Sequence, residues 1–372
     1  MRTLRLCTLA LGALLALAAC SPDKGAMSQV PDDCRAEQLS RKPFYTANPD
    51  SSAPAYTVLS DEYRLAFAGW GSSDPTFTLD FPEQADCRRV IMRYTMGSDG
   101  NGPASYDNTT IIWVRSKSDG KWYEIARAFT PFGDEFDASW QKHFYIDVTE
   151  FESLLRGATE FRYHYAGFDA TESRAHTFQL CFYGYEGDKE SEIVGMTELY
   201  SSPASANVGS CGWAYGIASH DIEADERLGC RTVAVPEGVS TMLLRLTITG
   251  HGHDMGMFPD IADYEPMNAA EFVENSYSLV IDGVKQSAEG RIFYSNANNY
   301  YQAGTYYYDR ANWAPGNPAN THYWTIERNT TKAGKMTIDI DLPRFVSEFD
   351  APNANDGVAH YIVSATLFFL SR

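Results

Sequence analysis

The sequence predicts an all-β protein, a sandwich or jelly roll built from antiparallel sheets. Three observations carry that expectation. Short segments in which apolar and polar residues alternate at period two recur between residues 76 and 370. Turn signals rich in Gly, Asn and Asp separate them, and one segment alone has the marks of a helix. With 372 residues, 44% hydrophobic and 13% aromatic, the chain can bury a large core and is long enough for two domains of ordinary size.

Residues 1–19 carry two arginines, an apolar run through Leu17 and small residues before Cys20, which is the composition of a targeting segment and not of a folded element. The stretch resembles a bacterial lipoprotein signal peptide with its lipobox. That resemblance implies cleavage before Cys20 and acylation of its thiol, so Cys20 becomes a lipid anchor. No other apolar run approaches the about 20 residues that span a bilayer. The expectation is a monomer of the bacterial cell envelope, on the periplasmic or cell-surface side of the outer membrane, attached by lipid alone. Residues 20–55 supply the anchor and a tether rich in Ser, Pro, Asp, Lys and Ala.

The first domain is expected over 56–190. Residues 76–81, 90–94, 143–148, 161–165 and 177–183 read as strands. The strongest hairpin signal lies at 106–131, where Ile111 to Val114 and Trp122 to Ile125 flank a turn ending in Asp119-Gly120. Asp107 stands at its mouth, placed either to react or, with Asn108, simply to make a turn. Residues 149–157 read as a helix with a Thr149 cap, Glu152 three residues on and Gly157 as its stop.

Charges followed by a Ser/Pro/Ala/Asn stretch at 187–208 mark the boundary, and 191–372 form the second domain. Its strands are expected at 231–235, 242–248, 276–281, 324–327, 336–342 and 361–370. Met336, Ile338, Ile340 and Leu342 alternate strictly, so that strand should bury one face. Of the cysteines beyond Cys7 and Cys20, Cys211 and Cys230 flank one polar segment and are the natural disulfide pair; Cys34, Cys87 and Cys181 are left.

The formal charge of −19, from 49 acidic against 30 basic residues, argues against a nucleic-acid partner. No phosphate loop, dinucleotide fingerprint or Ser-His-Asp order is present, and no cofactor is expected. His251 and His253 share a face at a strand end, but no third ligand of fixed spacing follows among Asp254, Asp260 and Asp263. A structural role or hydrogen bonding to substrate, the latter from His253, fits them better than a metal.

Read in order, WYEIARAFTPF at 122–132, YIDVTEFESLLRGATEFR at 145–162, LRLTITGHGH at 244–253, AAEF at 269–272 and DRANWAPG at 309–316 resemble successive segments of the peptide-N-glycosidase F family. The resemblance covers most of residues 75–370. It implies two jelly-roll domains packed side by side with the active site in the cleft between them. It also implies an amidase that hydrolyses the bond between an Asn side chain and the first N-acetylglucosamine of an N-glycosylated peptide or protein, leaving Asp and a sugar amine that loses ammonia.

On that resemblance Asp107, in the pair Tyr106-Asp107, is the primary catalytic carboxylate and Glu271 the second. Arg310 and Trp313 fall on the family's arginine and tryptophan, and Tyr106, Asn108, Arg310 and Trp313 are expected to bind substrate. Arg310 is placed to give a fork of donors to the substrate, to fix Asp107, or to form an ordinary interdomain salt bridge. Three departures stand out. A third family acid falls on Ala166, Asn108 replaces an arginine, and no cysteine flanks Glu271 or Trp313. The loss at Ala166 leaves open a catalytically silent relative that binds glycan or glycoprotein in the same cleft.

Overall fold

The structure, a computed structural model, describes residues 34–51, 56–68, 71–83, 87–99, 102–167, 174–189, 191–201, 228–252, 270–342 and 360–371. Within them the chain forms four antiparallel sheets. One runs in the order Tyr56–Val58, Ala175–Tyr185, Arg89–Asp99, Gln141–Asp147, with Tyr63–Ala68 also paired to Ala175–Tyr185. A second runs Gly71–Ser73, Gly157–Gly167, Thr109–Arg115, Trp122–Phe129, with Thr76–Phe81 also on Gly157–Gly167. Between these two sheets lie Val90, Met92, Tyr94, Ile112, Val114 and Phe178, the inward set that a period of two selects.

The other two sheets make the second sandwich. Cys34–Leu39, Thr321–Arg328, Thr241–His251, His360–Ser371 and Glu192–Tyr200 form one, in that order, and Arg231–Val235, Gly334–Asp341, Asn275–Ile281 and Val284–Ile292 the other. Met336, Ile338, Ile340 and Leu342 are all buried in its core, as their alternation requires. The protein is therefore two antiparallel jelly-roll domains.

The domains join along strand Trp122–Phe129, which is buried on both faces from Tyr123 onward. One face feeds the first core. The other carries Glu124 and Arg127, a buried ion pair at 2.8 Å whose Arg127 also donates to Thr249 Oγ1 and the Ile362 carbonyl of the second domain. Arg245 returns the contact by donating to the carbonyls of Glu124 and Ile125. Buried charges are tolerated here because each guanidinium finds several oxygens at once.

The 106–131 hairpin forms as its sequence directs. Thr109–Arg115 pairs with Trp122–Phe129, and Gly120 at φ +72° closes a turn in which its amide reaches the Ser116 carbonyl at 2.9 Å. Other expectations are corrected. The 149–157 helix is a short 3₁₀ helix of six residues, Thr149–Leu154, preceded by Val148. Thr149 does not cap it, because its hydroxyl donates to Asp147 Oδ1 and accepts the Val90 amide of the neighbouring strand.

The tether over 20–55 gives way at Cys34–Leu39 to a strand paired with Thr321–Arg328, and the boundary stretch contains strand Glu192–Tyr200, paired with His360–Ser371. Both are edge strands. Each buries few residues and keeps charges on the open side, which protects a sheet edge and erases the apolar alternation that would have revealed the strand. Cys211, and with it the expected Cys211–Cys230 bridge, lies outside the described residues, among which no disulfide is formed. No helix of the described residues is long and apolar enough to cross a membrane.

Candidate active site

Asp107 is held by the backbone of its neighbours. The Asn108 amide reaches back to the Tyr106 carbonyl at 3.1 Å, so Asp107 sits at the apex of a three-residue turn. Thr130, just past the partner strand of the hairpin, locks that turn: its hydroxyl accepts the Asn108 amide at 2.7 Å and donates to the Tyr106 carbonyl at 2.9 Å. Asn108 is itself buried, and its side-chain amide donates to the Tyr106 carbonyl and the Tyr165 hydroxyl. It shapes the turn, and at 7% exposure little of it is open to a ligand.

Glu271 comes from the second domain. Its Oε2 accepts the Gly252 amide at 3.2 Å, and its backbone bridges Gly252 and Ala311. Glycine is required at Gly250, where a Cβ would meet the Ala270 carbonyl oxygen at 2.0 Å. This close passage of chain over strand Thr241–His251 is what lets the segment bearing Glu271 lie beside the one bearing Arg310.

Arg310 joins the two carboxylates. Nε donates to Glu271 Oε1 at 3.1 Å, and Nη2 to Asp107 Oδ2 at 3.4 Å and Thr305 Oγ1 at 3.0 Å. Nη1 takes the carbonyls of Thr305 at 2.8 Å and Tyr308 at 3.1 Å. All five donors of the guanidinium are thus engaged. Its side chain is 0% exposed, whereas those of Asp107 and Glu271 are 17% and 15% exposed. The open side of the site offers carboxylate oxygens, and the arginine lies behind them as a strut. Arg310 is thus ion-paired with both Asp107 and Glu271.

Trp313 is the floor beneath that strut. The guanidinium carbon lies 4.8 Å from its ring centre, Phe129 stacks on it at 4.2 Å, and its indole N–H donates to the Gly250 carbonyl at 2.7 Å. At 2% exposure it presents little surface for a sugar, and what it visibly does is pack against Phe129 and underlie Arg310. The segment turns sharply next to it at Asn312, φ +72°, a conformation that Asn adopts more readily than most residues.

Tyr106 stays 42% exposed at the mouth. His253 lies outside the described residues. His251 is buried, with Nε2 2.7 Å from Thr249 Oγ1. Ala166 is on strand Gly157–Gly167, opposite Ser72. Among the described residues no group of three His, Cys, Asp or Glu could hold a metal ion. Thr130, Thr305 and Gly250 were not singled out from the sequence. The glycines of TGHGH were the visible hint for Gly250, whereas Thr130 acts on Tyr106 and Asn108 across the hairpin and Thr305 on Arg310 within an irregular loop, neither of which a periodic pattern reports.

Two carboxylates share one guanidinium, so the cluster carries a net negative charge if both ionise. Removal from water, together with the nearby Glu271, pushes the Asp107 carboxyl from its ordinary 3.8 up to about 7, against the pull of Arg310. A partly accessible carboxyl of that strength can hold or give up a proton at neutral pH, the property a general acid or base needs.

A comparison with family models finds no match for this chain. It is 26% identical over 328 residues, 84% of each chain, to peptide-N(4)-(N-acetyl-beta-D-glucosaminyl)asparagine amidase F of Elizabethkingia miricola. Among solved structures it resembles recombinant peptide:N-glycanase F, with a TM-score of 0.63 and 22% identity over 85% of this chain and 96% of that one. The glycosylasparaginase PNGase F from Flavobacterium meningosepticum is similar at a TM-score of 0.58 and 21% identity, over 83% of this chain and 96% of that one.

Proposed function

We propose that this chain, a member of a PNGase F-like family, is an amidase that cleaves the bond between an Asn side chain and the first N-acetylglucosamine of N-glycosylated peptides or proteins. The observation that carries the reading is the Asp107–Arg310–Glu271 cluster, assembled from both domains with its carboxylates turned to the open side.

In this reading water attacks the side-chain carbonyl carbon, the C–N bond breaks and the leaving amine takes a proton. Asp107 exchanges the proton, since its acidity is matched to neutral pH. Glu271 orients the amide or the attacking water. Arg310 holds both carboxylates at a fixed separation, so orientation is established before substrate arrives. The products are Asp on the peptide and a sugar amine, which loses ammonia to water.

A catalytically silent relative that only binds glycan is the competing reading, and Ala166 is the feature that favours it. Mass spectrometry of a defined N-glycopeptide decides: conversion of the glycosylated Asn to Asp with release of intact glycan supports the amidase, and binding without cleavage supports the silent relative. Cleavage between sugars, leaving N-acetylglucosamine on Asn, would contradict both.

The leader and Cys20 support a second part of the proposal, a monomer held by lipid on the bacterial cell envelope. Cys20→Ser should move the protein from the membrane fraction to the soluble one, and an unchanged distribution would remove the anchor.

A further inference from the structure

Among the described residues three aromatic side chains are exposed: Tyr106 at 42%, Tyr301 at 66% and Tyr307 at 48%. All three stand on the loops that carry Asp107 and Arg310. From Tyr301 a chain of ring contacts runs inward, to Tyr306 at 5.6 Å, Tyr307 at 5.4 Å, Tyr308 at 4.5 Å and Phe272 at 6.1 Å. Phe272 follows Glu271 in sequence and lies 5.0 Å from the Arg310 guanidinium carbon.

The loop under these rings is fastened to the site. Arg310 grips the carbonyls of Thr305 and Tyr308, the Tyr308 amide bonds the Thr305 carbonyl at 3.1 Å, and Asn296 donates to the Tyr308 carbonyl at 2.8 Å. Packing therefore explains the loop's backbone but not the tyrosines at its tip, which bury little and would be replaceable by polar residues if the fold were their only purpose.

We propose that the tyrosine ladder Tyr301–Tyr306–Tyr307–Tyr308 is a sugar-stacking subsite that holds a neutral outer branch of the glycan, beyond the bond at the carboxylates. Tyrosine suits a pyranose on both counts, the ring face meeting its C–H face and the phenol meeting its hydroxyl rim. The ladder begins in solvent and ends beside Glu271, so a glycan whose root is at the carboxylates extends along it. Charge selects the neutral class: residues 294–309 contain no Lys or Arg and one acid, Asp309, on a chain of formal charge −19. An acidic sugar would find no cation on this loop.

The placement of the glycan root rests on the amidase reading, whereas the ladder can be tested without cleavage. The experiment is calorimetric titration of the full chain with a free neutral hexose-rich oligosaccharide, which has no amide bond, and with its sialylated counterpart. Binding of the neutral form should weaken about 3- to 10-fold in Tyr301→Ala and in Tyr307→Ala, and further in the double variant. Val194→Ala, an exposed apolar truncation on strand Glu192–Tyr200, should leave it unchanged. Absence of binding to the wild type, equal binding by the double variant, or tighter binding of the sialylated form would overturn the proposal. Tyrosine-dependent binding with no glycopeptide cleavage would keep the ladder and remove the amidase. Cleavage together with binding indifferent to the tyrosines would do the reverse.

Discussion

Arg310 and Asp107 meet across the two domains, Nη2 to Oδ2 at 3.4 Å, although 203 residues separate them along the chain. Neither jelly roll contains the centre alone, since Asp107 comes from the first and Arg310 and Glu271 from the second. The proposed chemistry is therefore tied to the junction of the domains, and the predictions fall on that junction.

Replacing Asp107 by Asn keeps the side chain's size and its capacity to form the turn, while removing the group that exchanges a proton. Glycan release should fall about 100-fold or more, with the melting temperature not lowered at neutral pH. Timed mass spectrometry of a glycopeptide alongside thermal denaturation checks both, and wild-type rates would take Asp107 out of the mechanism.

The same carboxyl predicts a pH effect on stability. Between its ordinary 3.8 and about 7, folded Asp107 keeps a proton that the unfolded chain has released. Its stabilising contribution is present below about pH 4 and is lost as the pH rises through 7. The melting temperature of Asp107→Asn relative to wild type should accordingly climb from pH 4 to pH 8. A difference that stays flat over that range would show that burial does not govern this group.

Trp313→Ala should destabilise the protein by about 3–5 kcal/mol, because it empties a buried site stacked on Phe129. Trp313→Phe should cost less, mainly by stranding the Gly250 carbonyl that now accepts the indole N–H. Urea unfolding measures both. If Trp313→Phe instead lost glycan affinity at unchanged stability, the ring would have to be returned to the substrate.

At the interface, Arg127→Met leaves Glu124 buried without its partner and should cost about 3–5 kcal/mol. Adding Glu124→Gln removes the stranded charge and should recover part of that loss. A double-mutant cycle by chemical denaturation tests the coupling, and additive losses would mean that the two residues act separately.

Local chemistry was legible where the residues that decide it are neighbours in sequence. Gly120 and the runs beside it specified the hairpin, and Met336, Ile338, Ile340 and Leu342 specified a half-buried strand. The Asp107, Glu271 and Arg310 segments could be picked out because their short motifs survive in order. Edge strands were illegible: Cys34–Leu39 buries only Ala36 and so shows no alternation to read. The burial of Trp313 was illegible because a loop tryptophan has the same sequence whether it meets a sugar or Phe129. Its burial, the bonds from Arg310 to Glu271 and Asp107, and the raised pKa of Asp107 arise from groups on distant segments. Desolvation and packing depend on distance in space, which the two sandwiches set only when they close on each other.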